Sequence, residues 1–218
     1  MVPRAADKSL QTDACLPMDP RLRGDDGKKC PDRPATGVAP KGEGRNMTPL
    51  YRPPAPADFA ELRTMARKSF HDTFAPLYDP HEFAAFCDAT YAEDGPMAAD
   101  LANPAIAWRI ATVDGAILGY AKVSALVAPQ AGAAPGAMEL RQIYLLDAAK
   151  GSGIADTLMA WVFDTARAAG APELYLTVFE HNERAKRFYT RHGFAETGSC
   201  PYTLGSRTDE DRIWGRKL

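Results

Sequence analysis

The sequence predicts a mixed α/β domain over residues 47–218, on three observations. Two apolar runs flank Asp114-Gly115, the strongest short-range signal of a β-hairpin. A strand-like stretch, 138–146, passes through a glycine-bearing loop into a helical stripe over 154–169. A run that is apolar on both faces, 174–179, then precedes a second helical stripe behind Asn182.

Taken in order, Leu50–Pro53 reads as a short edge strand, because Pro53 and Pro54 stop central pairing. From Ala57 to Phe74, Phe59, Leu62, Met65, Ala66, Ser69 and Phe70 recur at helical spacing after Asp58. Pro76 and Pro80 bracket a break, and a second helix is expected from His81 to about Glu93, with Phe83, Phe86, Ala89 and Thr90 on one face. Pro96 and Pro104 delimit a turn or short helix. The hairpin joins Ala107–Val113 to Ile117–Leu126, and 128–137 is a loop of Ala, Pro and Gly. Strict alternation over 138–146 puts Leu140, Gln142, Tyr144 and Leu146 on one face and Glu139, Arg141, Ile143 and Leu145 on the other. The helix over 154–169 carries Ile154, Leu158, Met159, Val162, Phe163 and Ala166 on its stripe and closes at Gly170. Asn182 caps a helix bearing Ala185, Phe188, Tyr189 and His192, ended by Gly193. Phe194–Gly198 and a segment near Asp211–Arg216 finish as strands.

The 218 residues hold 26 Lys+Arg against 28 Asp+Glu, a net charge of −2, so no global field recruits nucleic acid or an anionic membrane. Apolar residues at 45% and charged residues at 25% exclude a wholly disordered chain. No stretch approaches the ~18 apolar residues of a membrane span. Cys15, Cys30, Cys87 and Cys200 form neither a C-x-x-C pair nor a disulfide framework, so a reducing, cytoplasmic setting is expected. His71, His81, His181 and His192 make no ligand cluster, and no metal is expected. Residues 1–46 contain no Phe, Trp or Tyr and many Pro and Gly, too little apolar surface to offset backbone ordering. They are expected to be a disordered tail or a mis-assigned start ahead of Met47, since 19–26 resembles translated bacterial intergenic repeats.

The segment from Ile143 to Ala155 carries the chemistry. A strand ends, small residues follow, and a helix begins beside Gly151 and Gly153, so main-chain N–H groups and the helix dipole converge on a site for phosphate or diphosphate. No G-x-x-x-x-G-K-[ST] string occurs, which excludes a P-loop NTPase. A dinucleotide fingerprint would need a third glycine where Asp156 stands.

Lys150-Gly-Ser-Gly-Ile-Ala155 resembles the Q/R-x-x-G-x-G/A motif of the GNAT superfamily of N-acetyltransferases, with Lys at the usual Gln or Arg. Asn182-x-x-Ala185-x-x-Phe188-Tyr189-x-x-x-Gly193-Phe194 resembles that family's second signature at its usual distance downstream. Within the superfamily, the stretches 70–74, 119–122, 139–145 and 202–214 look most like bacterial PaiA-like polyamine N-acetyltransferases. The resemblance covers essentially all of 48–218 and implies a mostly antiparallel twisted sheet, splayed at its middle strands, with helices on both faces.

The resemblance also implies acetyl-CoA as co-substrate and a small primary amine as acceptor. The main chain of Lys150, Gly151, Ser152, Gly153, Ile154 and Ala155 would wrap the diphosphate, and that of Ile143, Tyr144 and Leu145 would pair with the pantetheine arm like an added strand. The N–H of Leu145 would polarise the thioester carbonyl. Asn182 would cap its helix and touch the pantetheine. An amine with a pKa of ~10.4 is almost wholly charged at neutral pH, so a base must take its proton. Two readings of Glu139 stand open: that base, acting through water, or a solvent-facing strand-end residue paired with a neighbouring Lys or Arg. Tyr189 points inward on its stripe and is the candidate proton donor to the departing thiolate, against a plain core role beside Phe188. Lys186 and Arg191 are either contacts for the 3′-phosphate or solvated cations. Glu82, Asp88, Glu93 and Asp94 are either attractors for a cationic acceptor or a solvated face. A homodimer is compatible with these features. The readings that compete with a polyamine acceptor are a protein N-terminus, a lysine side chain, and a catalytically silent acyl-CoA sensor.

Overall fold

The computed structural model describes residues 48–149 and 151–218; the expectations for residues 1–46 and for Lys150 lie outside them. Among these residues, a seven-stranded sheet runs β1 (Leu50–Arg52), β2 (Ala107–Val113), β3 (Ala116–Ala125), β4 (Met138–Leu145), β5 (Glu173–Val178), β6 (Ala195–Leu204) and β7 (Arg207–Lys217), in spatial order β1-β2-β3-β4-β5-β7-β6. Every neighbouring pair is antiparallel except β4 and β5. Helices α1 (Phe59–Phe74), α2 (Pro80–Thr90) and α3 (Pro96–Ala102) share one core cluster with the aromatic face of the sheet. Helices α4 (Ile154–Ala168) and α5 (Glu183–Arg191) share a second, more aliphatic cluster.

Local chemistry accounts for the boundaries. Asp114 and Gly115 both have positive φ, 49° and 84°, which is the two-residue turn that matches strand twist between Val113 and Ala116. Asp79 caps α2 by accepting from the amides of His81 and Glu82 at 2.9 and 3.1 Å, so the helix starts one residue earlier than periodicity predicts. It also stops at Thr90 rather than near Glu93, where the chain folds back tightly: a Cβ on Gly95 would lie 2.3 Å from the carbonyl oxygen of Ala89. Leu62, Met65, Ala66, Ser69 and Phe70 of α1 are buried as their spacing predicts, Phe74 is buried with them, and Phe59 at the helix start is only half-buried. Each large apolar side chain among them contributes roughly 1.5–3 kcal/mol by leaving water.

Two strands depart from the sequence reading. β3 and β4 shift register so that Lys122 faces Gln142 while Val123 faces Leu140, which leaves Arg141 as a bulge. The extra residue reverses the alternation. Leu140 therefore joins Ile143 and Leu145 on the α4 side, and Tyr144 joins the α1 side. The C-terminal strands are a long hairpin, with Leu204 paired to Arg207 around Gly205-Ser206. Gly205 has φ +60°, and the strands run well beyond the short segments their apolar content marks.

Candidate active site

β4 and β5 pair only at Met138↔Leu174 and Glu139↔Tyr175 and then diverge. The Leu146 amide bonds the Leu118 carbonyl at 2.8 Å, and ladder alternation turns the amides of Ile143 and Leu145 away from β3, toward the gap between β4 and β5. The carbonyl of Leu145 is not part of the ladder either: it accepts from the Ser69 hydroxyl of α1 at 3.2 Å. Main chain directed into a splay between two central strands is a surface to which an extended ligand can add as a strand.

The loop at the end of β4 makes a 3-10 turn over Asp147–Ala149 and reaches α4 through Gly151, Ser152 and Gly153. Gly151 and Gly153 have φ of +70° and +79°, and a Cβ built on either would meet nothing within 4 Å. Their requirement is thus conformational, and the space before them is open. Ser152 closes the turn, its hydroxyl donating to the Ala149 carbonyl at 2.6 Å. Gly153 is the left-handed residue before Ile154, whose amide bonds the Ser152 hydroxyl at 3.4 Å, and the amides of Ala155 and Asp156 follow in the first turn of α4 at the positive end of the dipole. An open, amide-lined helix start at the mouth of a splayed sheet fits a diphosphate whose attached chain continues along β4.

Glu139 is 3% exposed, so it is not a solvent-facing strand end. Its Oε2 accepts from the amides of Val127 and Ala128, both at 2.8 Å, and ties the β3–β4 loop to β4. Burial raises its pKa, opposed by those two amides and by the charges of Arg141 and Lys122. Tyr189 is fully buried in the cluster that also takes Leu145 and Val178, its ring edge-on to Phe188 and Phe194 at 5.5 and 6.0 Å. Asn182 caps α5, its Oδ1 accepting from the Ala185 amide at 3.0 Å. Asp156 in the first turn of α4 meets the His192 ring at 3.0 Å and so links the two helices that flank the loop.

Several charged candidates are already engaged. Lys186 bonds the Glu180 carbonyl and Glu183, the latter at 2.9 Å. Glu82 accepts from the amide and hydroxyl of Ser206 and anchors the terminal hairpin turn to α2. Asp88 pairs with Arg67 at 2.5 Å. Among the described residues, no group of three or more His, Cys, Asp or Glu side chains is placed to hold a metal, and no helix is long and apolar enough to cross a membrane.

Sequence reasoning assigned no role to an acidic and phenolic group beneath α2. Asp211 is fully buried, as are the hydroxyls of Tyr91 and Tyr202, while Asp209 accepts from Tyr78 at 2.8 Å. A longer terminal hairpin was the missing signal. With Gly205-Ser206 taken as its turn, alternation places Asp209, Asp211 and Ile213 on one inward face of β7.

The profile of the acetyltransferase (GNAT) family matches residues 61–194, from α1 through α5. An uncharacterized N-acetyltransferase of Mycobacterium tuberculosis is 33% identical over 161 residues, 74% of this chain and 98% of that protein. Another, from Lactobacillus delbrueckii subsp. lactis, is 29% identical over 161 residues, 74% of this chain and 92% of its own length. Among solved structures, a PaiA N-acetyltransferase of Thermoplasma acidophilum in complex with coenzyme A superposes with a TM-score of 0.63 at 22% identity, covering 79% of this chain and all of that one. The splayed sheet, its glycine loop and these matches together place the chain in the GNAT family of acetyltransferases, enzymes whose acetyl donor is acetyl-CoA.

Proposed function

We propose that this enzyme moves the acetyl group of acetyl-CoA to a primary amine of a small, polyamine-like acceptor by direct attack in a ternary complex. The observation that carries this reading is the divergence of β4 from β5 at the mouth of an amide-lined helix start. That the Thermoplasma enzyme of like fold holds coenzyme A supports reading the loop as its diphosphate cradle.

On this reading the main chain of residues 150–155 holds the diphosphate, and the main chain of Ile143, Tyr144 and Leu145 lines the pantetheine arm. Acetyl-CoA supplies an electrophilic carbonyl and a thiolate leaving group. The Leu145 N–H stabilises the charge that develops on the carbonyl oxygen. Glu139, whose pKa burial raises, receives the amine proton through water. Tyr189 returns a proton to the departing sulfur, and Asn182 fixes the start of α5 so that Tyr189 keeps its place. The described cysteines, Cys87 and Cys200, are buried and not joined in a disulfide, in keeping with a reducing cytoplasmic setting.

The test is thiol release from acetyl-CoA with spermidine, spermine, simple diamines, lysine peptides and N-terminal peptides as acceptors. Turnover concentrated on the polyamines supports the reading. Turnover confined to peptides assigns the enzyme to protein acetylation instead. Coenzyme A uptake without turnover on any amine makes the domain an acyl-CoA sensor.

A further inference from the structure

Asp211 has no exposed surface, and neither of its carboxylate oxygens has a hydrogen-bond partner. The hydroxyls of Tyr91 and Tyr202, side chains 8% and 5% exposed, are likewise buried without a partner. These three groups are neighbours: Tyr202 interacts electrostatically with Asp211 and with Tyr91. An unpartnered buried polar atom costs about 1–3 kcal/mol, more for a carboxylate, so three together require a reason.

Charges on the surrounding elements do not supply one. Arg207 is taken up by Asp209, at 2.7 Å, and by the Leu77 carbonyl. Arg212 turns to the other face of β7 and pairs with Glu180 at 3.1 Å. Asp209 and Glu180 add negative potential, and with burial they push the Asp211 carboxyl up to about 7. From α2 and its flanks Tyr202 is faced by Tyr78, Cys87 and Tyr91, and the cation nearest Tyr91, Arg67 of α1, is taken up by Asp88 at 2.5 Å. What is lacking is a positively charged donor.

We propose that Asp211, with Tyr91 and Tyr202, binds a second, charged nitrogen of the acceptor. The inference rests on the amine-acetyltransferase reading and narrows its substrate to linear diamines and polyamines. An alkylammonium carries three N–H donors, enough for both oxygens of Asp211 and a phenol oxygen. Polar groups extend from the site toward β4. Tyr91 interacts with Tyr120, and the Tyr120 hydroxyl donates to Gln142 of β4 at 2.8 Å, on the strand that presents Leu145. One nitrogen would thus be held charged under α2 while the other, neutral, meets the thioester.

The experiment compares kcat/KM for 1,4-diaminobutane and n-butylamine at saturating acetyl-CoA in the wild type, Asp211→Asn and Tyr202→Phe. Removal of a buried partner charge lowers the diamine-to-monoamine selectivity on the order of 30-fold or more in Asp211→Asn. A smaller loss in the same direction is expected for Tyr202→Phe, which also serves if Asp211→Asn fails to fold. A ratio unchanged in both variants, with diamine turnover intact in the wild type, overturns this site and leaves amine acetylation standing. A wild type that acetylates peptides and no diamine overturns the acceptor class and this site together.

Discussion

Asp211 also makes a prediction about stability that is independent of catalysis. Its carboxyl is raised from 3.8 to about 7 by burial first, then by Asp209 and Glu180. A carboxyl raised by folding binds its proton more tightly in the native chain than in the unfolded one. Its contribution is therefore full below the unfolded pKa of ~3.9, declines as pH rises, and is lost above about 7. The interval corresponds to about 4 kcal/mol. Asp211→Asn removes the titration and retains the shape, so the variant should gain on the wild type by about 3 kcal/mol between pH 4.5 and 8. For a chain of this size that is on the order of 10 °C in melting temperature. Urea midpoints of both proteins across that range measure it, and the difference between them cancels the other titrating groups. Any constant cost of burying the Asn amide shifts the offset and not the slope. Parallel profiles would refute the claim that this carboxyl is unpartnered in the folded chain.

Other outcomes follow from the same structure. Tyr189→Phe should lower kcat on the order of 10²-fold with coenzyme A affinity unchanged, measured by thiol release and calorimetry; wild-type turnover would remove the general acid. Glu139→Gln should slow the reaction chiefly below pH ~8, and a loss that is flat across pH would leave only its tie to Val127 and Ala128. Gly153→Ala forces a side chain to φ +79°, which costs about 1–2 kcal/mol and should raise the coenzyme A Kd, both readable in one thermal-shift titration. Equal ligand-induced shifts in wild type and variant would detach this loop from cofactor binding.

The parts of the fold legible in the sequence are those set by local chemistry. Asp114-Gly115 specified its turn, Asn182 its cap, and the stripes of α1 and α4 the faces they bury. The glycine loop was legible because positive φ admits few other residues. What escaped depends on contacts between strands. The Arg141 bulge is fixed by pairing with β3, and no alternation within β4 reveals it. The outer half of the terminal hairpin alternates acidic and polar residues that read as loop until Gly205 is recognised as its turn. Asp211 was hidden for the same reason: a carboxylate on an inward strand position opposes the hydrophobic pattern from which burial is inferred.

A structure of the full chain bound to coenzyme A tests most directly where the cofactor lies. Diphosphate oxygens are expected within hydrogen-bond distance of the amides of residues 151–155, and the sulfur between the Leu145 amide and the Tyr189 hydroxyl. Coenzyme A bound elsewhere on the sheet, or with its sulfur remote from Tyr189, would contradict this placement.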